Sequence, residues 1–176
     1  MKRILIVVSV LACAALAFAQ APTKDPVSSS LRSMLPRSQN NAVSAVEAMP
    51  ADKFSYKPTA DQMTFAHLAV HMIGFNNSLC SKAADVPAPK TEEAKETDSK
   101  DKLVSALKAS FAFCNDALAK MDDSKLGDEI DFFGGRKAPR AMAALVLAGG
   151  WSDHYATAAM YLRMNGITPP SAQQKH

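Results

Sequence analysis

The stretch from Leu103 to Met121, LVSALKASFAFCNDALAKM, places Leu103, Leu107, Phe111, Cys114, Leu118 and Met121 at steps of four, four, three, four and three. Residues spaced this way stack on one side of a 3.6-residue turn, so the stretch predicts a helix with one apolar face. Such a face needs a core to cover it. The flanking sequence supplies three more helices of the same kind. From Asp25 to Met49 the apolar positions are Val27, Leu31, Met34, Leu35, Ala42, Val46 and Met49. From about Asp61 to Lys82 they are Phe65, Leu68, Ala69, Met72, Ile73, Phe75 and Leu79. A fourth helix starts near Pro139 and runs through Trp151, His154 and Tyr161 to Asn165. With no convincing strand pattern, four helices around one core predict an all-α, four-helix bundle.

The borders follow from local chemistry. Asp25 is expected to cap the first helix, with Pro26 at its first position. Pro36 predicts either a kink or a short preceding helix that ends near Met34, and Pro50 stops the helix. Residues 51–60, ADKFSYKPTA, read as an extended connection in which Phe54 and Tyr56 alternate, before a cap at Asp61 or Thr64. Residues 85–101 are rich in Pro, Lys, Glu, Asp and Ser and read as a solvated connection. Residues 127–140, GDEIDFFGGRKAPR, read as an irregular or hairpin-like link. Gly166 ends the fourth helix, with Pro169 and Pro170 behind it.

Composition narrows the function classes. A chain of 176 residues that is 48% hydrophobic and 21% charged fits one folded domain and excludes disorder throughout. Its N-terminus is different in kind: Lys2 and Arg3 precede an apolar run from Ile4 to Phe18, followed by the small-x-small sequence Ala17, Phe18, Ala19. That order predicts a secretory signal peptide over residues 1–19, and therefore a periplasmic or secreted product. An uncut anchor, or lipid attachment at Cys13, are the alternatives. The run is shorter than the ~20 residues that span a bilayer, so no stable membrane span is expected after cleavage. Loss of Lys2 and Arg3 lowers the formal charge from +3 to +1. The remaining basic residues are interleaved with acids, as between Lys90 and Lys102, which leaves no nucleic-acid footprint. Cys80 and Cys114 would then sit in an oxidising compartment, where a disulfide between them is predicted, two buried free thiols being the alternative.

Two segments are recognisable. AMPADKFSYKPTADQMTFAHLAVHMIGFNNSLC, residues 48–80, and DHYATAAMYLRMNGITPPS, residues 153–171, resemble the DinB family of four-helix proteins. The resemblance implies a DinB-like bundle over residues 20–171 whose helices run up, down, down, up, followed by a tail at residues 172–176. It also implies a metal site made from a second-helix histidine and an H-x-x-x-H pair on the last helix. His71 matches the second-helix position and His154 the second member of the pair. The first member is Gly150, which carries no ligand.

A catalytic metal usually takes about three protein ligands. His67, four residues before His71, shares nearly the same helix face, so His67, His71 and His154 form a candidate relocated site for a divalent transition metal, Zn, Ni, Mn or Fe. Otherwise the histidines line a vestigial pocket. Asp153 adjoins His154 but points to another side of the helix, and Tyr155, Tyr161 and Arg163 fit packing and capping. Two functions remain: an exported metal-dependent hydrolase or transferase with an incomplete His triad, or a non-catalytic bundle that binds a small apolar molecule or associates with itself as a homodimer. No P-loop, dinucleotide fingerprint or nucleophile elbow is present.

Overall fold

Four long helices, α1 (Pro26–Ala48), α2 (Phe65–Ala84), α3 (Lys100–Ala119) and α4 (Arg140–Met164), organise the chain in a computed structural model that describes residues 23–173. The signal peptide expected at residues 1–19 lies outside the described residues. Between α3 and α4 a two-stranded antiparallel hairpin pairs β1 (Glu129–Asp131) with β2 (Lys137–Pro139), with Ile130 opposite Ala138. A single turn, α5 (Pro170–Gln173), follows α4.

The helix directions can be read from residue pairs. Asn76 reaches Ser110 and Cys80 is bonded to Cys114, so α2 and α3 advance together and are parallel. Asp123, just after α3, meets Val27 at the start of α1, while Lys108 in α3 pairs with Glu47 at the end of α1, so those two are antiparallel. Trp151 meets Asn76 and Tyr161 meets Met63, which makes α4 antiparallel to α2. The order is up, down, down, up. α1 and α2 stand diagonally opposite, each packed between α3 and α4. Parallel α2 and α3 need a long return, and the polar connection at residues 85–99 provides it.

The predicted stripes converge on one core, with Val46, Met49, Phe65, Leu107, Leu118, Leu147 and Leu162 fully buried. The disulfide Cys80–Cys114 lies inside this core and pins the parallel pair. Among the described residues no helix is long and apolar enough to cross a membrane.

Several borders differ from expectation. Asp25 does not cap α1 through its side chain: it takes a left-handed backbone with φ 53°. Instead Val27 N and Ser28 N donate to the Asp123 carboxylate at 2.7 and 2.9 Å, and Asp123 N donates to Asp25 Oδ1 at 3.2 Å. The cap therefore comes from nearly a hundred residues away. α1 also continues through Pro36 as one helix rather than ending near Met34. Pro36 is exposed and supplies no N–H to the Arg32 carbonyl one turn back. Residues 51–60 are not extended throughout, because Ala51–Lys53 form a 3₁₀ turn that buries Phe54. α2 begins at Phe65, and Thr64 is the residue that caps it, accepting from His67 N. α4 ends as predicted at Gly166, with φ 73°. There Gly166 N donates to Arg163 O and Ile167 N to Leu162 O, the paired bonds of a Schellman turn.

Candidate functional site

The antiparallel run of α2 and α4 brings His71 opposite His154. Their ring centroids are 4.8 Å apart and the rings nearly perpendicular, at 87°. His71 is exposed, whereas His154 is 9% exposed. Burial, and then the neighbouring His71, push the His154 imidazole down to about 4, so it is neutral at physiological pH.

Phe75, one turn after His71, completes the cluster with its ring centroid 4.5 Å from that of His154. Its placement answers the question raised by Gly150. A Cβ built at residue 150 would meet Phe75 Cε1 at 2.7 Å and Cε2 at 2.9 Å, with Cζ closer still. Real side chains do not approach so closely, so the ring uses the space that a side chain at residue 150 would need. Gly150 thus stands where the resemblance implies a ligand, and its lack of a side chain is the opening that admits Phe75.

His67 does not join the pair. Its side chain is half exposed, and its Nδ1 lies 2.5 Å from Glu96 Oε1 in the α2–α3 connection. Thr64 Oγ1 donates to the same carboxylate at 2.9 Å. The hydrogen bonds from His67 and then Thr64 hold the Glu96 carboxyl below its ordinary range. Of the three histidines predicted to share a metal, two meet and the third ties down a loop. Among the described residues no group of three His, Cys, Asp or Glu side chains is placed to hold a metal ion. The donors present do not fit a three-ligand centre.

Beneath the cluster, Asn76 bridges three helices: its Nδ2 donates to Ser110 Oγ at 3.0 Å, and Trp151 Nε1 donates to its Oδ1 at 3.0 Å. Sequence reasoning missed this residue, since an Asn–Asn pair in a helix reads as solvent-facing. The tell-tale was its position on the apolar stripe, four residues after Met72. Tyr161 is buried and donates to Met63 O at 2.7 Å, and burial raises its phenol above the ordinary value. Packing is its evident role.

The model of the DinB superfamily matches residues 34–158. The chain belongs to the DinB superfamily. A DinB-like protein from Bacillus subtilis superimposes with a TM-score of 0.67 at 21% identity, covering 83% of this chain and 99% of that one. A DinB-like protein from Bacillus cereus gives 0.66 at 16% identity, covering 81% and 95%. A mycothiol-dependent maleylpyruvate isomerase, crystallised as a histidine-to-alanine mutant, gives 0.60 at 15% identity, covering 73% of this chain and 59% of that one. At such identities these likenesses establish the shared bundle. No protein of curated function matches the chain.

Proposed function

We propose that this DinB superfamily member is an exported, non-catalytic bundle that binds a small molecule and has exchanged the family's metal centre for an aromatic and imidazole cluster. The carrying observation is the Phe75 ring in the space of a residue 150 side chain. Two imidazoles alone hold an ion weakly, and the third donor is missing at Gly150 and turned away at His67. Export rests on the basic and apolar N-terminus ending in Ala17, Phe18, Ala19.

The second reading, a hydrolase or transferase using Zn, Ni, Mn or Fe, is favoured by one observation: His71 and His154 still face each other across α2 and α4. Metal content separates the two. Mass spectrometry on the untagged protein lacking residues 1–19, after incubation with excess ion and beside a His71→Ala variant, is expected to find metal well below one equivalent in both. Near-stoichiometric metal in the parent, lost in the variant, would overturn the proposal.

A further inference from the structure

Between α1 and α4 lies a half-open groove of about 410 Å³, lined by Met34, Arg37, Asn41, Trp151, Ser152 and Tyr155 among others. Its chemistry is one-sided. It contains a cation, several hydroxyls and apolar surface, but no carboxylate among its described lining. Arg37 is exposed and forms no ion pair among the described residues. Tyr155 accepts from Ser171 N at 2.8 Å through its hydroxyl oxygen, so its own O–H hydrogen is still available to donate.

Asn41 is the unusual member. It is 8% exposed, and its Oδ1 is buried without a hydrogen-bond partner. A buried amide without a partner is destabilising, and native structures rarely keep one without a reason. Arg37 and Asn41 are one turn apart on the same face of α1, with Cβ atoms about 5–6 Å apart.

We infer that this groove binds small carboxylates that carry an amide, the class of N-acylated amino acids and dipeptides. The carboxylate takes charge-assisted bonds from the Arg37 guanidinium and the Tyr155 O–H. Asn41 Oδ1 is sealed from solvent in the present rotamer, so the ligand amide pairs with Asn41 once its amide turns toward the groove, where it offers both an acceptor and donors. The side chain of the ligand lies on Met34 and Trp151. Small-molecule sites have this character, mostly apolar with a few convergent polar groups. The inference names the ligand class for the binding function proposed above and rests on that reading.

Trp151 is the chain's single tryptophan, so its fluorescence reports on the groove directly. The probe is N-acetyl-L-leucine, titrated against the untagged, metal-stripped protein with intact disulfide, beside 4-methylpentanoate, which lacks the amide, and N-acetyl-leucine methyl ester, which lacks the carboxylate. A saturable change with N-acetyl-L-leucine is expected, weakened about tenfold or more in each control compound and in Arg37→Gln and Asn41→Leu. Arg37 is exposed, so Arg37→Gln keeps the test open even if Asn41→Leu perturbs folding. No saturable response in the parent, or parent-like affinity in Arg37→Gln, would overturn the inference. Because the protein is stripped, that failure is independent of the metal measurement, which alone decides the reading above it.

Discussion

The edge of the Phe75 ring stands where the side chain of residue 150 would begin, so a side chain at residue 150 and the present Phe75 rotamer exclude each other. A helix-interior glycine ordinarily costs about 0.5–1 kcal/mol relative to alanine. Here it is offset by the packing of Phe75 against His154.

Neighbouring glycines give an internal control. Gly149 has open space at its Cβ, so Gly149→Ala should stabilise by about 0.5–1 kcal/mol. Gly150→Ala should instead destabilise by about 1–3 kcal/mol, because the ring must be displaced. In a Phe75→Ala background Gly150→Ala should become stabilising. Urea unfolding of the four variants reads the reversal, and equal effects at both glycines would contradict the packing.

The disulfide should contribute measurably. Cys80 and Cys114 are 34 residues apart, and closing that loop is worth about 3–4 kcal/mol by the model-dependent chain-entropy estimate. Replacing both cysteines by alanine should lower the urea midpoint accordingly. A midpoint within error of the parent would contradict a stabilising cross-link between Cys80 and Cys114.

His154 makes stability fall with acid. Its folded value is depressed to about 4 from 6.5, chiefly by burial, so below pH 6.5 the unfolded chain takes up a proton that the folded chain refuses. The contribution is fully present above pH 6.5 and declines as pH falls towards 4, by about 3 kcal/mol in total. Melting temperatures between pH 7 and 5 should drop more steeply in the parent than in His154→Leu. Parallel profiles would contradict a buried neutral imidazole.

Removing the Asn76 side chain should cost about 2–4 kcal/mol, since Asn76→Ala strands the buried indole N–H of Trp151 and withdraws a partner from Ser110. Denaturant unfolding followed by Trp151 emission measures the loss and the altered indole environment together. A change below about 0.5 kcal/mol would show that the bridge is dispensable.

The sequence was most informative where one face of a helix is buried and the other wet. The stripe of α3 is of this kind, and Leu103, Leu107, Phe111, Cys114 and Leu118 are all buried. α4 was harder to read because Leu145 is 65% exposed and Met142, Met160 and Met164 are exposed too, so its apolar residues do not mark a single face. The cap on α1 was illegible for another reason: Asp123 is distant in the chain, and nothing near Asp25 signals it. At the site, Gly150 marked a departure from the pattern the resemblance implies, but only tertiary packing shows that the Phe75 ring fills the space beside it. His67 has the right spacing to join His71, yet Glu96 on the following connection captures it.

Zinc titration calorimetry on the parent and on Phe75→Ala/Gly150→His most directly tests whether Phe75 and Gly150 together close the metal site. The double substitution clears the ring and supplies an imidazole four residues before His154, beside His71, so it should gain one tight equivalent of Zn²⁺ while the parent shows none. One tight equivalent already present in the parent, and lost in His154→Ala, would contradict it.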